Sequence, residues 1–220
     1  MTARRSFLGA LAALSGTALL RTATAATVPL DRFPPAAADG PWDLSWLDAL
    51  HGKHRQVFDL GVLEERGNPL RVVANYLDAH QAVYALDFPE INTVVGIAYA
   101  AFPINAGDPL WVKYGIGEKW RVQDPTTGTW AQRNVFRDAP AGDPAHRYAL
   151  TTLRSRGTIF WQCNNALNAI AHEFAGATHT PLDTVRAELV SGLLPGVHLV
   201  PAHTMLLGLA QEHGCTYERL

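Results

Sequence analysis

The stretch that decides the fold is Gly157-Thr-Ile-Phe-Trp-Gln-Cys163-Asn-Asn-Ala-Leu167, in the last third of the chain. Its apolar first half predicts a buried strand. The residues that follow carry an apolar stripe at helical spacing, made by Leu167, Ile170, Ala171 and Phe174. Cys163 is therefore predicted at the carboxyl end of a strand and the amino end of a helix. Ligands bind at that edge of an open α/β sheet, and a helix N-terminus favours a thiolate over a thiol.

Strands and helices alternate on both sides of this stretch. Strands are predicted at 55–60, 91–99, 158–162, 195–200 and 215–218, and helical patterns at 69–84, 149–153, 164–174, 181–191 and 202–213. The run at 91–99 is almost continuously apolar, as expected of a strand that is covered on both faces. Alternation of this kind predicts an α/β fold with a doubly wound, mostly parallel sheet of about five strands.

Residues 102–148 interrupt this pattern with an irregular, aromatic-rich segment that is predicted to be a long connection or an insertion. A connection of this length is usually functional or carries short elements of its own. The turn residues at 124–129 predict the tip of a hairpin. The aromatic side chains of this region and of the segment before it are Tyr99, Phe102, Trp111, Tyr114, Trp120 and Trp130.

Part of this aromatic set is predicted to lie near the cysteine. Tyr99 and Phe102 follow the second strand, at the sheet edge predicted for Cys163. We therefore expect an aromatic lid over Cys163, with Tyr99, Phe102 and Trp111 as binding residues. The alternative is that the tryptophans fill a local core or an oligomer interface.

The first 26 residues have the composition of an export signal. Arg4 and Arg5 precede an apolar run, and the small residues at 23–25 provide a cleavage site. The paired arginines resemble a twin-arginine signal, although Ala3 stands where that signal has a hydroxyl residue. We expect a signal peptide at 1–26, a leader at 27–50, a folded domain at 51–220 and a periplasmic or otherwise exported protein. An ordinary secretory signal or an uncleaved anchor is the alternative.

Composition and motifs disfavour several function classes. The chain has 220 residues, of which 17% are charged, and a net charge of −2. Its Lys and Arg residues are scattered rather than clustered, so no nucleic-acid partner is predicted. The glycine-rich, phosphate-loop, nucleophile-elbow and C-x-x-C motifs are missing, so no cofactor is predicted. The nine histidines have no spacing typical of a zinc site, and no metal is predicted.

The two cysteines are predicted to be free. Cys163 ends one predicted strand, whereas Cys215 begins the last one. In a parallel sheet these positions lie at opposite edges, about 17 Å apart for a strand of ordinary length. A disulfide requires Cα atoms within about 7 Å of each other. Cys215 is therefore predicted to be a small buried hydrophobe.

Three motifs in fixed order give the chain a family resemblance. They read Phe160-Trp-Gln-Cys163-Asn-Asn-Ala-Leu, Leu194-Pro-Gly-Val197 and Leu209-Ala-Gln-Glu-His-Gly-Cys-Thr-Tyr217. Together they resemble the DsrE/DsrF-like family of sulfur-relay proteins. The resemblance implies a flavodoxin-like sheet, homo-oligomers in many members, and Cys163 as the position of the persulfide-carrying cysteine. The segment 102–148 departs from the compact cytoplasmic members, because it is longer and richer in tryptophan.

Two function hypotheses follow. In the first, an exported DsrE-like protein accepts or carries sulfur on Cys163, the predicted catalytic residue, with Asn164 and Asn165 as binding residues near the sulfur. Its partners would be small sulfur species or another sulfur-relay protein. In the second, the protein is a non-catalytic ligand-binding or assembly module with a structural cysteine. Exposure of Cys163 discriminates between them, because a buried sulfur that no channel reaches favours the second hypothesis.

Overall fold

The computed structural model describes residues 42–63 and 67–220. The predicted signal peptide at 1–26, and the leader as far as residue 41, lie outside the described residues. Within the described part of the chain, no helix has both the length and the apolar composition that a membrane crossing requires.

The predicted fold class is confirmed: the protein is α/β, with a flavodoxin-like sheet of five strands that all run parallel. The strands are β1 (His54–Leu60), β2 (Ile91–Ile97), β3 (Ile159–Cys163), β4 (His198–Val200) and β5 (Thr216–Arg219). Their order across the sheet is β4-β3-β2-β1-β5. The last strand therefore lies beside β1, in the place that the second strand takes in the common flavodoxin order.

Seven α-helices connect these strands. They are α1 (Leu70–Tyr84), α2 (Asp108–Lys113), α3 (Ile116–Lys119), α4 (Leu150–Ser155), α5 (Asn164–Thr178), α6 (Leu182–Ser191) and α7 (His203–Glu212). Within the described residues, 3-10 helices lie at Ser45–Ala49, Tyr99–Asn105 and Pro144–Tyr148. The helix that follows Cys163 begins at Asn164, as the apolar stripe in the sequence predicts.

The two faces of the sheet are covered unequally. Side chains alternate along a strand, so Phe58 and Phe160 pack into one core while Val57 and Trp161 pack into another. The larger core also receives the apolar faces of α1 to α6. The smaller core is closed by α7 and by the 3-10 helix Ser45–Ala49. One face is therefore thickly covered and the other thinly.

The insertion has short elements of its own. It contains α2, α3 and one of the 3-10 helices, and the predicted hairpin tip is present as a bridge between Gln123 and Trp130. Asn134, which is buried, ties the segment to the 3-10 helix after β2. Its side-chain amide donates to the carbonyl oxygens of Pro103, Ile104 and Ala106 at 2.8 to 3.3 Å. The insertion is thus built into the larger core.

Candidate functional site

Cys163 lies at the point where the chain switches from one face of the sheet to the other. It is the last residue of β3 and the N-cap of α5, and it pairs in register with Val200, the last residue of β4. Helix α5 leaves β3 towards the larger core, whereas α7 leaves β4 towards the smaller core. Adjacent strands whose helices diverge in this way open a crevice at their carboxyl ends, which is where open α/β sheets bind ligands.

The sulfur of Cys163 accepts hydrogen bonds from both diverging helices. The backbone N–H of Ala166, in the first turn of α5, donates to Sγ at 3.5 Å. The backbone N–H of His203, the first residue of α7, donates to Sγ at 3.3 Å. Both N–H groups lack a partner inside their helix, and N–H donors favour the charged form of an acceptor. The residue is 5% exposed.

A chain of hydrogen bonds between side chains runs beside this sulfur. The indole Nε1–H of Trp161 donates to Nδ1 of His203 at 3.1 Å. Nε2 of His203 lies 2.6 Å from Oδ1 of Asp59, and the hydroxyl of Tyr217 donates to Oδ2 of Asp59 at 2.7 Å. These four residues come from β3, α7, β1 and β5, so this chain of hydrogen bonds reaches from β3 to β5.

The hydrogen-bond donors in this chain of side chains fix the tautomer of His203. An indole N–H can only donate, so Nδ1 of His203 accepts. Nε2 then carries the proton of the neutral ring and donates to Asp59. Burial acts to raise the pKa of Asp59, but the hydrogen bonds from Tyr217 and His203 outweigh it and lower the pKa below its ordinary value. The hydrogen bond between Tyr217 and Asp59 also raises the pKa of the Tyr217 hydroxyl. Asp59 is therefore the negatively charged residue among these four hydrogen-bonded side chains.

Gly96 makes room for this arrangement. In the sheet it pairs with Asp59 on one side and Trp161 on the other. A Cβ atom added at Gly96 would lie 2.2 Å from Cζ2 of Trp161 and 3.0 Å from Cε1 of His203. Carbon atoms in contact are about 3.5 to 4.0 Å apart, so a side chain here would displace the indole. A glycine at this position lets both rings lie against β2.

The predicted position of Cys163 is correct. The side chains of the two asparagines that follow it do not donate hydrogen bonds to its sulfur. Oδ1 of Asn164 accepts a hydrogen bond from Nη2 of Arg186 in α6 at 2.6 Å. Asn165 is exposed on the first turn of α5. The donor within this segment is the backbone of Ala166.

Two of the three aromatic residues predicted to form a lid over Cys163 belong to the larger core. Phe102 and Trp111 are fully buried there, and Nε1–H of Trp111 donates to the carbonyl oxygen of Ala106 at 3.1 Å. Tyr99 is 43% exposed, in the 3-10 helix that follows β2. For Phe102 and Trp111 the alternative from the sequence is the correct one: they fill a core under a long segment.

The insertion instead forms one wall of a cavity of about 530 Å³. Aromatic and branched apolar side chains line it together with a few polar groups, and Cys163 is not among its lining residues. The apolar lining is made by Leu63, Trp120, Val122, Val135, Phe136 and Tyr148. A mostly apolar cavity of this volume lies within the range of small-molecule sites.

Cys215 is free and buried, as the sequence predicts, and immediately precedes β5. It packs in the smaller core with Val57 and Leu206. Burial raises the pKa of its thiol to about 11, although the nearby Arg55 acts in the opposite direction. Cys215 is therefore a thiol that stays protonated near neutral pH. In the described part of the chain, no three His, Cys, Asp or Glu side chains are close enough together to hold a metal ion.

Asp59 and His203 are the site residues that the sequence analysis missed. His203 falls in the predicted helix 202–213 and Asp59 in the predicted strand 55–60, and neither is predicted to be a site residue. Both lie near the carboxyl ends of strands in the linear sequence: Asp59 is next to last in β1, and His203 follows β4 by three positions. A search of all predicted strand ends for ionisable residues could have found them.

Comparison with known proteins adds a distant structural likeness. No protein-family profile matches the chain, and no curated protein matches it. A solved structure that resembles it is a protein of unknown function, MTH1491, from Methanobacterium thermoautotrophicum. The two chains are 17% identical, and the match covers 76% of this chain and 99% of that chain with a TM-score of 0.38.

Proposed function

We propose that the protein is a sulfur carrier that accepts a sulfane sulfur atom on Cys163. The observation that carries this proposal is the position of Sγ, at the topological switch point and between the first-turn N–H groups of α5 and α7. Two amide donors stabilise negative charge on a sulfur atom, which is the charge that a thiolate or a persulfide anion carries. The resemblance of residues 157–220 to sulfur-relay proteins supports the same assignment.

The proposed step is a thiol exchange that needs no external oxidant. After its proton is lost to solvent, the Cys163 thiolate attacks the terminal sulfur of a polysulfide. A new S–S bond forms to Sγ, the S–S bond to the rest of the donor breaks, and the electron pair leaves with a polysulfide that is one sulfur shorter. Charge and sulfur atoms balance. A nucleophile that attacks the outer sulfur regenerates the Cys163 thiolate.

The burial of Cys163 counts towards the second hypothesis from the sequence, a module with a structural cysteine. For a sulfur carrier, the same burial restricts the donor to small molecules. With 5% of the residue exposed, a folded protein cannot bring its own cysteine into line with Sγ unless the site opens. Inorganic polysulfide chains of a few sulfur atoms are narrow enough to enter a crevice. The first donor in this proposal is therefore an inorganic polysulfide.

The test is the intact mass of the protein after brief exposure to sodium polysulfide and removal of the excess. We expect a gain of about 32 Da, one sulfur atom, in the wild type and in Cys215→Ser. Cys163→Ser should gain nothing. Cys215→Ser is the matched control, because it removes the other buried thiol and leaves the site intact. A gain in Cys163→Ser equal to that of the wild type, or no gain in the wild type, contradicts the proposal.

A second candidate function is favoured by the cavity under the insertion. We propose that it binds a small, largely apolar molecule with an aromatic ring, because Trp120, Phe136 and Tyr148 line about 530 Å³ of space. Aromatic rings contribute large apolar contact area and favour ring partners at their edges or offset faces. In this candidate function Cys163 is structural and caps two helices.

The probe for this second function is 8-anilino-1-naphthalenesulfonate, an aromatic dye that fluoresces in apolar sites. We expect saturable binding of one dye per chain, which Ala145→Trp abolishes because Ala145 lines the cavity. Ala169→Trp, on the exposed side of α5, is the matched control and should bind like the wild type. Dye binding that Ala145→Trp leaves unchanged contradicts a site in this cavity.

A further inference from the structure

We propose that Trp161 and Asp59 are positioning residues for Cys163, because they hold the residue that donates a backbone hydrogen bond to its sulfur. This inference rests on the proposed function in so far as the sulfur of Cys163 is the reacting atom. The residue held is His203, whose ring meets Trp161 and Asp59 and whose N–H meets Sγ.

The ring of His203 is held at both of its nitrogens. Nδ1 accepts from Trp161 and Nε2 donates to Asp59, in a residue that is 8% exposed. Neither nitrogen is left to take a proton from Cys163. His203 therefore does not act as a general base towards the thiol, and its side chain serves to fix its own backbone.

The start of α7 has little else to hold it. Its N-cap residue, Ala202, offers no side-chain acceptor, so the orphan N–H of His203 is satisfied by Sγ of Cys163. The ring bonds to strands β1 and β3 fix the rotation of this first residue relative to the sheet. Without them, the N–H group loses its alignment with the sulfur.

The surrounding charges are few and come from neighbouring strands. Asp59 pairs in register with Arg219 of β5, whose charge helps to lower the pKa of Asp59. Tyr217 donates to the second carboxylate oxygen. The carboxylate is thereby held with one oxygen towards His203, which is the orientation that positioning requires.

The first test compares two tryptophans that differ in their relation to the site. Trp161→Phe removes the donor to His203, whereas Trp111→Phe removes an indole bond of the same length, 3.1 Å, in the other core. Both residues are fully buried, so both variants lose similar packing. The readout is the pH midpoint of Cys163 alkylation by iodoacetamide, followed by mass analysis of the Cys163 peptide.

We expect Trp161→Phe to raise this midpoint by about one pH unit, because a lost hydrogen bond to a charged group shifts its titration by about this much. Alkylation well below the midpoint should then be about tenfold slower. Trp111→Phe should leave the midpoint unchanged. A general loosening raises the rate at every pH and moves no midpoint, so it is a distinct result. An unchanged midpoint in a folded Trp161→Phe protein overturns the proposal.

A second pair of variants keeps the proposal testable if Trp161→Phe does not fold. Asp59→Ala removes the acceptor for His203, whereas Asp59→Asn keeps an oxygen that can accept the same bond. Both lose the negative charge equally, so the difference between them isolates the hydrogen bond. We expect the alkylation midpoint of Asp59→Ala to lie above that of Asp59→Asn, and equal midpoints overturn the proposal. Alkylation does not require sulfur transfer, so this result is independent of the polysulfide test.

Discussion

Replacement of Gly96 by alanine is the most demanding test of the packing around the site. The new Cβ would lie 2.2 Å from Cζ2 of Trp161, whereas carbon atoms in contact are about 3.5 to 4.0 Å apart. The indole would have to move by about 1.5 Å. Trp161 is fully buried and bonded to His203 at 3.1 Å, so this movement breaks that bond.

The expected cost follows from two contributions. Overpacking of a filled core costs about 1 to 3 kcal/mol, and the lost buried hydrogen bond costs about 1 kcal/mol more. The free energy of unfolding should therefore fall by about 2 to 4 kcal/mol. With a urea dependence of about 2 kcal/mol per molar, the midpoint of unfolding falls by about 1 to 2 M.

The assay is urea denaturation followed by tryptophan fluorescence and circular dichroism, with Gly176→Ala as the matched control. Gly176 is exposed in α5, and a Cβ added there meets no atom within 4 Å. That variant should be more stable by about 0.5 to 1 kcal/mol, because alanine favours a helix over glycine. Gly96→Ala within 0.5 kcal/mol of the wild type would refute the close packing of Trp161 on β2.

Three further predictions concern other parts of the molecule. Cys215, whose pKa burial raises to about 11, should resist iodoacetamide at pH 8 in the folded protein and react in urea; equal rates in both states contradict this. Asp59 has a lowered pKa when folded, so its stabilisation is present above about pH 3.9 and is lost as the pH falls through the folded value. As the pH is lowered from 6 to 3, the urea midpoint should fall less for Asp59→Asn than for the wild type, and parallel curves contradict this. N-terminal sequencing of the exported protein should begin near Ala26 or Thr27, and retention of Met1 contradicts a cleaved signal peptide.

The strand order and the unequal covering of the sheet could not be predicted from the sequence. Periodicity predicts strands such as 158–162 and the helix after Cys163, because each depends on local spacing of apolar residues. It does not predict that β5 returns to lie beside β1. That pairing depends on which face α7 covers, and this is decided by contacts between residues far apart in the chain.

The site shows the same division. Cys163 is found from the sequence because its position depends on one strand and the helix directly after it. The bond between Asp59 and His203 joins residues 144 positions apart, and it exists only because β1, β2 and β3 are neighbours. Single residues at the ends of distant strands carry no local signal of their pairing.

Phe102 and Trp111, two of the residues predicted for a lid over Cys163, lie in the larger core. Composition predicts that aromatic residues such as Phe102 and Trp111 cluster, but it does not tell which core receives them. The buried residues of the 3-10 helix Tyr99–Asn105 and of α2 pack against the larger core, so Phe102 and Trp111 enter it.

The most direct test of sulfur carriage is the amount of sulfane sulfur that the protein releases to a second nucleophile. Protein loaded with polysulfide and freed of excess reagent is treated with cyanide, which attacks the outer sulfur and leaves as thiocyanate while the Cys163 thiolate is restored. We predict about one thiocyanate per chain from the wild type and from Cys215→Ser, and none from Cys163→Ser. Equal release from Cys163→Ser and the wild type, or none from any of the three, would contradict sulfur carriage on Cys163.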